Sequence, residues 1–363
     1  MSEFRVPVVP VVISPHDNAD SLELAQVGLY LSVVKKGQFK TGDLVAYIPE
    51  AAIVPEPLLL ELGLNRRPDP ANPGREIGGL AGGQYNRVKA IRLRGVVSQG
   101  IVYPARPGWV EDQDVAEELG ITKWEPKIPS SLQGRVRPFN PENQRWLVKY
   151  DIENLKAHPK MFEEGELVEF SEKIHGTFSM VSVRPDGTAM VASKGLGARG
   201  FPFAEDDENL YNRVIDSLKV KDKLAAVANR MGADALILCG EIFGAGVQDL
   251  TYGCSAQVNP GYRAFDCAVV TGFDKRWMDS AELDTLLAEI GVPRVPILYR
   301  GPYSLEFVKE YTSGKTTFGG LHIREGIVIN TLVERWHPKW GRAKLKSVSE
   351  DYLLRKGEVT EYQ

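Results

Sequence analysis

Apolar and polar residues alternate with a period of two along most of this chain, in short runs separated by Gly, Pro, Asn and Asp. Residues 29–50, "LYLSVVKKGQFKTGDLVAYIPE", read as strands broken by Lys-Gly and Thr-Gly-Asp turns. Residues 86–104, "NRVKAIRLRGVVSQGIVYP", alternate basic with apolar positions, setting Arg87, Lys89 and Ile91 on one face with Val88, Arg92 and Arg94 nearby. Between them, residues 65–84 hold so much Pro, Gly and Asn that a mobile loop without regular structure is expected. The first third, residues 1–122, is therefore predicted to be all β, a small barrel of the OB type. Proline spacing and polarity make residues 123–145 a linker.

From Trp146 onwards, in a second domain over residues 146–363, strands interleave with a few helices. "FSMVSVRPDGTAMVAS" is two alternating strands around Pro-Asp-Gly, a hairpin. "NLYNRVIDSLKVKDKLAAVANRM" has helical spacing throughout, and "DSAELDTLLAEIGVP" opens on a capping box, Asp279 with Glu282, and stops at Gly291. Short strands follow at "ALILCGEIF", "YRAFDCAVV", "EGIVINTL" and "RAKLKS". Hairpins with scattered helices, in place of strict βαβ alternation, predict an α+β fold of mainly antiparallel sheets. The run "GLGARG" at Gly195–Gly200 matches a dinucleotide-binding pattern, but it follows a hairpin strand and no helix starts on it, so a Rossmann site is set aside.

Composition narrows the class. With 363 residues, a quarter of them charged and a net charge of −4, the chain is an ordinary globular protein that would meet nucleic acid through local patches. Three cysteines, Cys239, Cys254 and Cys267, are odd in number and form no CxxC, which predicts reduced thiols. No apolar run approaches a membrane span, and a cytoplasmic protein is expected.

Five pieces of the second domain share one chemical logic. Lys173 stands in "EKIHG" and Lys194 in "ASKG"; Glu241 and Glu325 end or open strongly apolar strands; Lys344 and Lys346, two apart on a strand, point to one face. Singly, each has an ordinary explanation, since lysines are usually solvated and a lysine pair protects an edge strand. Together they describe a polyphosphate pocket, with lysines for phosphate oxygens and two carboxylates for a hydrated divalent cation. A lysine nucleophile there needs its free pKa of about 10.4 lowered by roughly 3 units, which neighbouring cations and desolvation favour.

"EKIHGT", "SKG", "GEIFG", "AFD", "EGIVI" and "KLK", in this order over Glu172–Lys346, resemble the motif series of the covalent nucleotidyltransferases: RNA and DNA ligases and capping enzymes. The histidine of "KIHG" and the β-rich N-terminal module are similar to ATP-dependent RNA ligases with an N-terminal OB-like domain. The resemblance implies a nucleotidyltransferase (ATP-grasp-like ligase) domain, with ATP, Mg2+ or Mn2+ and RNA ends or nicks as partners. By it, Lys173 would form lysyl-AMP, with His175 and Gly176 shaping the turn so that the glycine admits the nucleotide. Glu172 would meet the adenine edge through its backbone and Phe265 would stack on the ring. Glu241 and Glu325 would hold the metal's waters, Glu241 also reaching the ribose. Lys344 and Lys346 would hold the α-phosphate and help lower the pKa of Lys173, Lys194 would touch ribose or RNA 5′-phosphate, and Lys149 would reach the outer phosphates. A DNA ligase, a GTP-using capping enzyme and a nucleic-acid-binding protein with an inactive catalytic half stay open alternatives.

Overall fold

The predicted strands form, and they pair almost entirely antiparallel. The computed structural model describes residues 4–72, 74–80, 86–124, 144–194, 201–203, 209–254, 260–319 and 322–355. The chain divides into two compact units: one runs up to Trp124 and takes in Lys156–Pro159 and the chain from Leu353, the other runs to Leu155 and from Lys160 to Tyr352. Most of the expected linker, and the whole of "GLGARG", lie outside the described residues.

In the first unit, β1 (Val8–Pro10), β5 (Leu44–Ile48) and β6 (Ile101–Pro104) make one sheet, ordered β1-β5-β6. Strands β2 (Val12–Pro15), β3 (Leu22–Val27) and β4 (Tyr30–Lys35) make another. One fully buried residue, Val11, carries the chain from the first sheet to the second, so both contribute to a core with Ala25, Tyr30, Val45 and Tyr47. Two expectations are corrected here. The proline-rich loop contains a small ribbon, Arg67–Pro68 paired with Glu76–Ile77. The basic strand is not continuous: Arg87 makes an isolated bridge to Ile53, and a separate strand, Ile91–Leu93, turns at Arg94 with φ 50°. Arg87 is buried and stacks its guanidinium 3.7 Å above the Trp124 ring, so it cannot join Lys89 in an exposed basic face.

The second unit is built on two sheets. Strands β7 (Leu167–Lys173), β13 (Ile297–Pro302), β14 (Gly326–Thr331) and β15 (Lys344–Val348), with the short strand Glu153–Asn154, form five strands ordered (153–154)-β15-β14-β7-β13. Strands β8 (Thr177–Val183), β9 (Ala189–Ser193), β10 (Ala235–Phe243), β11 (Gly261–Thr271) and β12 (Asp274–Trp277), with Phe201–Pro202, form six, ordered (201–202)-β9-β8-β10-β11-β12. The predicted hairpin is β8–β9, with Gly187 at φ 84° in its turn. The predicted long helix is two, α1 (Leu210–Leu218) and α2 (Lys221–Met231), because Lys219 adopts a left-handed φ of 52° that ends the first. The capping box forms as expected on α3 (Ser280–Ile290), which stops on left-handed Gly291.

Strand register shows how the sheets divide apolar from polar work. On the five-stranded sheet, Val168, Phe170, Ile327, Ile329 and Leu345 bury one face against Met161, Phe162 and Val308. The other face carries Glu169, Ser171 and Lys173 on β7, Asn330 on β14, and Lys344 and Lys346 on β15. The six-stranded sheet packs Val181, Leu236 and Leu238 on α1 and α2, and turns Met180, Ile237 and Cys239 toward Leu147, Val148 and Tyr150. The lysine pair therefore sits inside a sheet, not at an edge.

Residues 174–176 carry the chain from the end of β7 in one sheet to the start of β8 in the other. A Cβ on Gly176 would lie 2.2 Å from the Ile242 carbonyl oxygen and 2.9 Å from Cγ of Glu241. The glycine is needed because the crossing passes against the β10 backbone, which cannot yield as a side chain can. Gly176→Ala is expected to lower unfolding stability in urea by about 1–3 kcal/mol, the usual cost of overpacking. A midpoint matching that of the unaltered protein would show that the crossing has slack.

Candidate active site

Lys173 is the last residue of β7 and sits opposite Gly326 on β14. Its ammonium donates to Oε1 of Glu325 at 2.8 Å. The lysine side chain is 14% exposed and the glutamate 0%, so this ion pair is largely withdrawn from solvent. An isolated charge would be costly here; each group makes the other tolerable.

Next along the crossing, His175 is buried with both ring nitrogens engaged. Nε2 lies 2.6 Å from Asp249 Oδ1, and Nδ1 lies 2.9 Å from the Tyr352 hydroxyl and 4.0 Å from Glu325 Oε2. Its backbone N–H donates to the Tyr252 hydroxyl at 2.7 Å. Burial first, and then the charge of Glu325, push the Tyr252 phenol well up. His175 thus ties the 244–252 turn and the C-terminal Tyr352 to the residue that holds Lys173.

The lysine pair shares its face with Lys173. Lys344 and Lys346 are both buried, and Lys344 donates to Asp266 Oδ2 at 2.8 Å. Asp266 also accepts from Arg342 at 2.5 and 3.0 Å and from the Tyr150 hydroxyl at 2.7 Å. Burial raises the Asp266 pKa, but Arg342 and Lys344 outweigh it and hold the carboxyl far below the usual range. The same burial, with Asp266 beside it, pushes the Tyr150 phenol up. Lys344 therefore shares the Asp266 carboxylate with Arg342.

A β-bulge explains why neighbouring residues both face this site. Cys239 pairs with Asp266, whereas the next residue, Gly240, pairs with Ala264, so Phe265 is the extra residue. Phe265 contacts Tyr150 and Phe178, at 5.4 and 5.9 Å between ring centroids, and Lys344 Nζ lies 6.0 Å from its ring. Strict alternation would have sent either Phe265 or Asp266 to the helix-covered side, and the role of Asp266 was missed for that reason. The trio "FDC" gave the only signal.

The remaining candidates divide. Glu241, half-buried, lies across from Phe178 on β8 and against Gly176. Glu172 points to the other face of β7. Its carboxylate accepts from the Thr316 and Thr317 hydroxyls, both at 2.6 Å, and from the Thr317 N–H at 2.9 Å. Its own N–H donates to Pro296 O at 2.8 Å, so side chain and amide both hold scaffold. Lys194 reaches Asp151 at 3.2 Å and is 47% exposed; Lys149 is exposed on an irregular stretch. Asp249 and Tyr252 come from a turn, Arg342 from a two-residue strand and Tyr352 from the short helix Glu350–Leu353, and their spacing carries no pattern.

Among the described residues, no group of three or more His, Cys, Asp or Glu side chains could hold a metal ion by itself. Glu325 and Glu241 nonetheless suit a Mg2+ or Mn2+ ion, which binds through one or two carboxylates, waters and substrate phosphates. Both are hard oxygen donors adjoining the same short crossing.

The Asp266 network makes a pH-dependent contribution to stability. Its folded pKa is lowered, so the contribution is complete above the unfolded value of about 3.9 and is lost as pH falls below it. Asp266→Asn should cost about 3–5 kcal/mol at pH 7, because Arg342 and Lys344 are left buried without their anion. Urea midpoints between pH 7 and 3 should fall less steeply for the variant than for the unaltered chain. Parallel curves would show that Asp266 carries no such linkage.

No protein of curated function matches the chain by sequence. Its fold is similar to that of a Naegleria gruberi RNA ligase with PPi, at 24% identity and a TM-score of 0.74 over 97% of this chain and 98% of that one. A lysine-to-methionine mutant of the Naegleria gruberi ligase with AMP and Mn matches at 23% and 0.74, covering 96% and 97%. A glutamate-to-alanine mutant with ATP and Mn matches at 24% and 0.73, covering 97% and 98%. The model of an OB-fold domain matches residues 8–105, in accord with the barrel expected there. The RNA ligase model matches residues 166–348, about half of the chain and the whole of the Lys173 to Lys346 constellation, and the chain belongs to the RNA ligase family.

Proposed function

We propose that this protein joins RNA 5′-phosphate and 3′-OH ends, at nicks, at the expense of ATP. The observation that carries the reading is Lys173 paired with buried Glu325 on the sheet face that also bears Lys344 and Lys346. In the first step Lys173 Nζ attacks the α-phosphorus of ATP, forming a P–N bond as the bond to pyrophosphate breaks. AMP then passes to the RNA 5′-phosphate, and the 3′-OH attacks that activated end, releasing AMP.

In this reading Glu325 restrains Lys173. A carboxylate at 2.8 Å favours the ammonium form of Lys173, which is not a nucleophile. Glu325 and Glu241 would hold the divalent cation, which supplies charge neutralisation for the polyphosphate. A Glu325 turned to that task no longer anchors the Lys173 proton, and Lys346 on the same face favours its departure. Lys344, kept in place by Asp266, meets the α-phosphate at a fixed position, and positioning of this kind carries much of phosphoryl-transfer catalysis. Phe265, aimed by the bulge, offers a face for adenine. Lys194 and Lys149 are exposed enough to reach the ribose, the RNA 5′-phosphate or the outer phosphates. In this reading the N-terminal OB-fold module holds RNA, and residues from 146 onwards form the adenylyltransferase domain.

The likeness to Naegleria gruberi structures with ATP, AMP and Mn supports ATP and a divalent cation as the partners. Three free cysteines, two of them buried with thiols pushed up by burial, suit a reducing compartment such as the cytoplasm. No helix among the described residues is long and apolar enough to cross a membrane.

Incubation with labelled ATP and Mg2+ or Mn2+ should leave AMP on the protein, and Lys173→Ala should leave none. Glu325→Gln should slow labelling by about 100-fold, the order expected when one charge-stabilising group is lost from a transition state. Labelling by GTP instead of ATP would move the chain to a capping chemistry; no label at all would remove the reading.

A further inference from the structure

Between the metal-side strand β14 and the lysine strand β15 the chain makes an excursion, residues 332–343, that the nucleotide chemistry does not use. It forms a two-stranded ribbon in which Trp336 pairs with Arg342 and His337 with Gly341. Ion pairs pin both of its strands. Arg335 donates to Glu166 at 2.5 and 2.8 Å and to the Met161 carbonyl at 2.7 Å. Arg342 binds Glu334 within the ribbon and Asp266 on β11, and lies 4.1 Å over the Trp277 ring. At the tip the His337 and Trp340 rings stack at 4.1 Å and 15°, and the Lys339 N–H donates to His337 Nδ1.

On this pinned ribbon two apolar side chains stand in water, Trp336 at 66% exposed and Val333 at 68%. Pro338 and Lys339 at the tip are exposed as well. Residues 333–342 hold three formal positive charges, Arg335, Lys339 and Arg342, against one negative, Glu334. Cross-strand partners lie on one face of a ribbon, so Trp336 shares the face of Arg342. Arg342 is in turn the residue that meets Asp266 beside Lys344. The strand that carries Arg342 runs, through Ala343 alone, into Lys344 on β15, so the ribbon bearing this large exposed indole and its cationic tip is joined directly to the lysine strand.

We infer that this ribbon is an RNA-docking element, in which Trp336 stacks on a base of the substrate and Lys339 meets its backbone. The chemistry suits RNA because every base has a π-face for an exposed ring, and a polyanion is drawn to the lysine beside it. A pinned ribbon also presents the ring without the entropy cost of ordering a loose loop. The inference rests on the ligase reading for its substrate, but its test is separate, since formation of lysyl-AMP needs no RNA.

Three measurements on the full chain decide it: self-labelling by ATP, affinity for a nicked RNA duplex, and sealing of a nick already carrying AMP on its 5′-phosphate. Trp336→Ala should label normally, bind the nicked RNA about 10-fold more weakly and seal it more slowly, while Trp336→Phe keeps most of the affinity. Lys339→Ala should lower the slope of log affinity against log salt by about 1. Normal binding and sealing by Trp336→Ala, with labelling intact, would overturn the inference. An unaltered chain that takes no AMP, yet binds RNA in a Trp336-dependent way, would support the docking element while refuting the ligase reading.

Discussion

A lysine ammonium set against a buried carboxylate organises the second unit. Lys173 ends β7 and Glu325 immediately precedes its neighbour β14, and neither would tolerate its position alone. Their contact requires β7 and β14 to pair in the register that places Lys173 opposite Gly326, and a one-residue slip would send the lysine into the apolar face with Phe170 and Ile329. The hydrophobic face of the five-stranded sheet therefore protects the register, and the register protects the ion pair.

The same constraint spreads outward. His175 is fastened by Asp249, Tyr252 and Tyr352, which fixes the start of the crossing to the second sheet. Gly176 brings that crossing down on the β10 backbone beside Glu241. From the far side, the bulge on β11 aims Asp266 at Lys344 and Arg342. Arg342 then passes the alignment to the ribbon that carries Trp336. The groups proposed to meet phosphate, cation and RNA are in this way held by protein partners, which would limit the reorganisation left for the reaction itself.

Strand and helix positions in the second half were legible because burial on one face imposes alternation, as in β8, β9 and β14, and because capping chemistry is local, as at Asp279 and Glu282. The helix break at Lys219 was not legible: both flanking segments have good helical spacing, and the left-handed Lys219 followed by fully buried Val220 shows only in the folded chain. The basic stretch Arg87–Arg94 misled for a similar reason. Its alternation is real, yet Trp124, distant in sequence, captures Arg87 by stacking and removes it from any surface track.

What the sequence alone determined is a set of candidate residues and their order: Lys173, Glu241, Glu325, Lys344 and Lys346 can be listed from a motif series that resembles a known family, and strand alternation puts the last two on one face. What only the tertiary structure decided is which charges neutralise which. Asp266 on Lys344, Glu172 on Thr316 and Thr317, and His175 between Asp249 and Tyr352 join residues that lie 74 or more positions apart. The physical reason is that periodicity reports the face a side chain takes, whereas a pairing across two sheets depends on bulges, crossings and packing distances that no local pattern encodes.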